Sequence, residues 1–183
     1  MGSHFIVNNL LHAGFVGLFV HSHFAWAEVM LLLNFVNLSA LYFRHRSYPR
    51  FIHAPAISAP LAWTFVAVYW NGAIMVPNPG SLVARIFANI FVWGILVYGG
   101  FFLYIYDDHT MGFSLSVLSA ALGVAQFQRQ FIALQWIFAF VIMGVLFVAT
   151  VVVAAPLWLG RDINFRRRSP PADQERAPLL GEE

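Results

Sequence analysis

Apolar residues run along this chain in six long stretches, each parted from the next by a short break of polar residues, prolines or glycines. The stretches cover roughly residues 5–20, 24–43, 60–76, 83–106, 111–126 and 131–155. An α-helix that crosses a bilayer needs about 20 mostly apolar residues, with about 17–25 the usual range. Each stretch therefore predicts a span, the first and fifth being short for one. The breaks carry the chemistry of helix ends. His21-Ser22-His23 parts the first two stretches. Pro60 suits the first turn of a helix, where its missing N–H costs nothing, and Pro77-Asn78-Pro79-Gly80 stops that helix. Asp107-Asp108-His109-Thr110 closes the fourth stretch and opens the fifth, with Thr110 as the expected N-cap. Pro156 ends the sixth. After Gly160 the chain turns polar, and RRRSPPADQERAPLLGEE reads as a disordered tail. The expectation is an all-α, polytopic transmembrane helix bundle over residues 1–165 and a disordered cytosolic tail over 166–183.

Composition removes the competing classes. Of the 183 residues 60% are hydrophobic and 10% charged, with a mean hydropathy of +0.72; a soluble domain is about 45–50% apolar and about a quarter charged. A water-soluble fold would have almost nothing to cover its outside with, and 19 Phe and 6 Trp exceed what one small core can sequester. The lipid bilayer is thus the first expected partner. Nucleic acid is not expected, because the net charge is only +2 and no basic stripe lies along a polar face. With no cysteine, thiolate metal sites and catalytic thiols are unavailable.

Charge then sets orientation. All ten basic residues are Arg. Arg44, Arg46 and Arg50 separate the second and third stretches, and Arg161, Arg166, Arg167 and Arg168 follow the sixth. Basic loops stay cytoplasmic, so both clusters belong on one side. That requires an even number of crossings between them, and the short fifth stretch must span. Arg85 and Arg129 fall near the far side. Aromatic belts agree: Trp26, Trp70 and Trp136 fall at outer ends, Tyr42, Trp63, Tyr104, Tyr106 and Trp158 at inner ends, and Trp93 alone of the tryptophans sits mid-helix.

SHFIVNNLLHAGFV, NLSALYFRH, APLAWTFVAVYWNGAI, DDHTMGFSLSVLSAALGVAQF, ALQWIFAFVIM and the tail DQERAPLL together resemble a family of fungal multi-pass membrane proteins of unknown function, over nearly the whole chain. The resemblance implies a membrane location and no particular activity. Members usually carry further membrane segments upstream, which implies that this chain is an N-terminally truncated member. A second, partial resemblance is to tryptophan-rich sensory proteins, which bind tetrapyrroles and sterols. Pro60, Trp63 and Asn71 carry it, together with the Asn-rich start of the first stretch, although His12 stands where that family tends to place Trp.

Of the acidic residues only Glu28 falls within a predicted span. A carboxylate at mid-helix costs about 2.5–3.5 kcal/mol on insertion scales, so it is normally paired, protonated or facing a cavity. Tyr69, Asn71, Arg85, Asn89, Gln126, Arg129 and Gln135 are predicted at similar depth. They converge on an outer cup that reads as a ligand or ion vestibule, with Glu28 neutralised by Arg85 or Arg129. The alternative is an interhelical polar clamp near the interface. Asn8, Asn9 and His12 share a helix face, as do Asn34 and Asn37, which predicts the first helix packed on the second. Gly112, Ser116 and Ala120, with Ser119 and Gly123, give the fifth helix a small-residue face for close approach. Gly99-Gly100 marks a kink or a close contact. His21 and His23 alone are weak as a metal site, and neither metal nor cofactor is expected.

Three function classes follow. The first is a non-enzymatic binding or transport-associated bundle of the fungal endomembrane system. The second is a structural or assembly subunit that engages partner helices of another membrane protein. The third, an intramembrane enzyme with Glu28 and His as acid and base, is weakest, because one acid without a second titratable partner in register rarely suffices; no catalytic residue is assigned. In the tail, Glu175 followed by Leu179 and Leu180 resembles the acidic dileucine signal that clathrin adaptors read, which points to a vacuolar or endosomal membrane with the C-terminus in the cytosol.

Overall fold

The computed structural model describes residues 2–44, 57–129 and 134–159, and all regular structure among them is helical. Helices α1 (Gly2–Val20), α2 (Phe24–Arg44), α3 (Ala59–Ile74), α4 (Leu82–Phe91), α5 (Gly94–Tyr106), α6 (His109–Arg129) and α7 (Leu134–Trp158) follow in order. Among the described residues five stretches are long and apolar enough to cross a membrane: Ser3–Val20, Phe24–Arg44, Leu82–Tyr106, His109–Arg129 and Leu134–Pro156. The fifth predicted stretch, short by composition, is a helix of 21 residues, since its polar ends His109 and Gln128 continue the helical turn. α3 is the exception. Its 16 residues give a rod of about 24 Å, short of a full crossing, but it lies between α2 and α6 and buries Leu61, Ala62, Thr64, Ala67 and Asn71.

Spans that follow one another in the chain run antiparallel, as their cross-contacts show. Asn34 Nδ2 donates to Asn8 Oδ1 at 2.9 Å, and His4 Nδ1 donates to Asn37 Oδ1 at 2.7 Å, so α1 lies against α2 in opposite sense. Of the polar face expected on α1, Asn8 makes this contact, whereas Asn9 is exposed and the His12 ring meets Trp63 of α3 edge-on at 4.7 Å. On the far side of the bundle Ser116 Oγ donates to Met143 O at 3.0 Å, tying α6 to α7. The alternation puts Arg44 and the end of α7 at the same end of the bundle.

The fourth stretch is not one helix. At Val92 and Trp93 the hydrogen bonds tighten to Trp93 N–Ile90 O and Ile95 N–Val92 O, both 3.2 Å, and the axis restarts at Gly94. Trp93, the misfit of the aromatic belts, occupies this break and lays its ring against Phe138. Of the kink or close contact expected at Gly99-Gly100, the close contact is found, at Gly99: a Cβ on it would lie 2.7 Å from Leu146 Cδ2 and 3.1 Å from Leu115 Cδ1, while Gly100 has nothing within 4 Å.

A carboxylate fastens the end of the bundle opposite the α3–α4 turn. Asp107 ends α5 in the left-handed region at φ 53°, a conformation Asp tolerates better than most residues. That turn aims Asp108 inward, where it accepts from Tyr42 Oη at 3.0 Å, Ser58 Oγ at 2.6 Å and the backbone N–H of Met111 at 3.0 Å. Asp108, rather than the expected Thr110, is therefore the N-cap of α6. One side chain joins the end of α2, the turn into α3 and the start of α6.

The surface inverts the usual distribution. Leu10, Val20, Leu82 and Val97 are 68–73% exposed, while Asn34, Thr64, Asn71, Ser116, Ser119 and Thr150 are buried. Association thus leans on close packing at Gly112, where a Cβ would meet Thr150 Oγ1 and lie 2.7 Å from Leu103 Cδ2. Gly112→Val should destabilise the detergent-purified protein by about 1–3 kcal/mol through overpacking. Gly100→Ala should be neutral or stabilising by up to about 1 kcal/mol. Paired thermal-unfolding curves check both, and equal midpoints for the two variants would contradict the packing at Gly112.

Candidate ligand pocket

The polar positions predicted for the outer cup divide into two groups. The first surrounds a pocket of about 1080 Å³ between α3, α4, α6 and α7. α4 opens on Ser81, whose side chain accepts from Ala84 N–H at 3.2 Å and fixes the first turn. Arg85 and Asn89, four residues apart on α4, then share one face and both line the pocket. From the last turn of α6 come Gln126 and Arg129, and from the first turn of α7 Gln135. Tyr69 lines the floor and donates its hydroxyl to Ala88 O at 2.9 Å, bridging α3 to α4. Trp70, Ala73, Val76, Leu122 and Leu134 supply an apolar wall that depth along the helices did not reveal. Among the described lining residues the charged ones are Arg85 and Arg129; no acid is present.

The second group stands apart. Asn71, buried on α3, donates through Nδ2 to Glu28 Oε2 at 2.8 Å and to Phe24 O at 3.0 Å, joining α3 to the first turns of α2. Neither Glu28 nor Asn71 lines the pocket, and among the described residues no ion pair joins Glu28 to Arg85 or Arg129. The pairing of Glu28 with an arginine is thus corrected to pairing with an amide. Helical phase explains the split. Thr64, Ala67 and Asn71, at i, i+3 and i+7, form the buried face of α3, whereas Tyr69 and Ala73 lie on another face and line the pocket.

Trp63, which carries the sensory-protein resemblance with Pro60 and Asn71, sits against His12 and Phe15 and is not a pocket residue. His21 donates to Gly17 O at 2.9 Å on its own helix, and no group of three metal-ligating side chains occurs among the described residues. Glu175, Leu179 and Leu180 lie outside the described residues, as does the boundary at 165–166.

The Glu28–Asn71 bond predicts a specific pattern of coupling. In a double-mutant cycle, Glu28→Leu and Asn71→Leu should show a coupling of about 0.6 kcal/mol and at most about 1.7 kcal/mol, the average and maximum for hydrogen bonds between membrane helices. Glu28→Gln with Arg85→Gln should be additive. A coupling confined to the arginine pair would overturn the assignment.

No curated protein and no solved structure matches the chain. A family model, described as a fungal protein of unknown function (DUF1774), matches residues 85–180, just over half of the chain. The matched region holds α6, α7, all of α4 from Arg85 onward and the greater part of the pocket's polar lining. The chain therefore belongs to the fungal protein family of unknown function DUF1774.

Proposed function

We propose that the chain is a multi-pass membrane protein of the fungal endomembrane system that acts as a non-enzymatic binding or transport-associated bundle, holding a small molecule in the pocket between α3, α4, α6 and α7. The pocket carries this reading. Its volume, about 1080 Å³, is slightly above the about 300–1,000 Å³ that small-molecule sites use, and it combines an apolar wall with a few convergent polar groups. The lining supports binding over catalysis. Guanidiniums do not give up protons in the working pH range, amides do not titrate, and the Tyr69 hydroxyl is already engaged with Ala88 O. Glu28 is held by Asn71 outside the pocket. The apolar exterior and the five span-length stretches support the membrane setting.

Orientation follows from the arginines. Arg44 and the exit of α7 share one end, so the basic segments that continue from them belong on the cytosolic side, with the pocket on the other. The tail is then cytosolic, where Glu175, Leu179 and Leu180 can meet a clathrin adaptor. The family match runs through residue 180 and so includes these positions.

Two outcomes are expected. Protein purified in neutral detergent should carry a co-extracted small molecule, identified by mass spectrometry of its organic extract. Ala73→Trp, which fills the pocket, should strip that molecule without unfolding the protein; identical extracts from both proteins would remove the pocket from this reading. For the tail, replacing Leu179 and Leu180 by Ala in the tagged full chain should move it from vacuolar or late-endosomal membranes to the cell surface or Golgi. An unchanged location by fluorescence microscopy would eliminate the sorting signal.

A further inference from the structure

We propose that the pocket takes an anionic phospholipid, its phosphate held between Arg85 and Arg129 and its acyl part laid against the apolar wall; this deepens the pocket reading and rests on it. The first support is charge. Two guanidiniums reach the same pocket from different helices, α4 and α6, with no carboxylate among the described lining residues. Among the described residues the carboxylate at this level is Glu28, which is bonded to Asn71 outside the pocket. Guanidinium is the planar fork that matches phosphate oxygens two at a time.

The second support is the position of Arg85. It lies in the opening turn of α4, where the helix macrodipole favours an acid and disfavours a cation, and that turn contains no acid. Its neighbours Leu82, Val83 and Ile86 are exposed and apolar. Helix energetics alone give no reason for a cation here, and a bound anion reverses the penalty. Arg129, in the last turn of α6, faces the opposite wall from a position the dipole favours.

Size and wall chemistry select the kind of anion. A bare phosphate would occupy a small part of about 1080 Å³ and leave Trp70, Val76, Leu122 and Leu134 unfilled. Gln126, Gln135 and Asn89 add amide donors for the remaining phosphate and ester oxygens. The wall formed by α4 is thin: none of its residues is buried, and its far face, from Leu82 to Phe91, is apolar. An acyl chain passing beside it stays in contact with hydrocarbon, while the head group remains at the helix ends, where the interface lies in the proposed orientation.

The test uses the full-length protein in neutral detergent, titrated in native mass spectrometry with phosphatidic acid, phosphatidylcholine of the same chains, and inorganic phosphate. Phosphatidic acid is expected to be retained most tightly. Arg85→Gln and Arg129→Gln should each weaken it by at least about tenfold, the loss of one charge-assisted bidentate contact. Arg85→Lys, which keeps the charge and loses the fork, should fall between. Arg44→Gln, at the opposite end of the bundle, should change nothing. Equal retention of phosphatidic acid and phosphatidylcholine, or undiminished retention by a folded Arg85→Gln/Arg129→Gln protein, overturns the proposal. Inorganic phosphate held as tightly as phosphatidic acid overturns the lipid assignment in favour of a phosphate site. A neutral molecule displaced by Ala73→Trp but indifferent to both arginine variants leaves the pocket reading standing and sinks this one.

Discussion

A bundle whose outside is as apolar as its inside gains little from hiding hydrophobic side chains. In the hydrocarbon setting proposed here, helices associate through close contact and through hydrogen bonds, and α6 carries both devices. Gly112 admits Leu103 and Thr150, Ser116 bonds to Met143 O, and Gly123 brings the helix within 3.1 Å of Phe140 Cε2, measured from the position its Cβ would take. Asp108 supplies the polar counterpart at the end of the same helix, gathering Tyr42, Ser58 and its own N-terminal turn. Buried Asn34, Asn71 and Ser116 are therefore fasteners between helices rather than defects in a core.

The pocket begins where that run of small residues stops. From Gly112 to Gly123 α6 is held close to its neighbours; within the next two turns it carries Gln126 and Arg129 toward open space. On the other side, the break at Val92–Trp93 frees α4 from the line of α5. The main core takes in Val92 and Ile95 but no residue of Leu82–Phe91. The end fastened by Asp108 is thus tightly closed, and the end bounded by the lightly packed α4 is open.

Much of this was legible in the chain. The spacing of Gly112, Ser116 and Ala120, with Ser119 and Gly123, announced the close face of α6, and the arginine parity required the fifth stretch to span, for which its helix is long and apolar enough. Predicted depth also brought Arg85, Asn89, Arg129 and Gln135 to one level, and the structure sets all four around one pocket. Depth says nothing about azimuth, however, and Glu28 and Asn71 share that level while facing a different seam. The break at Trp93 lay hidden because an unbroken apolar run carries no mark of where its hydrogen bonds change register. Thr110 and Asp108 are both good caps; what selects Asp108 is its simultaneous reach to Tyr42 and Ser58, a tertiary fact that no local pattern records.

The contrast between the two groups of charges bears on what the open end is for. At the same level of the bundle, the carboxylate of Glu28 is given an amide donor and a place between two helices, although an unpartnered carboxylate near an interface could simply have been hydrated. The arginines are treated differently. Arg85 stands against the dipole of its own helix, and neither it nor Arg129 shares its pocket with an acid among the described residues. Placing Glu28 one helical face away would have neutralised the pocket with residues already present. Asn71 holds the carboxylate in the other seam, so the clamp between α2 and α3 also leaves the pocket's arginines without that acid, and in the proposed lipid reading a residue outside the pocket helps decide the sign of the ligand.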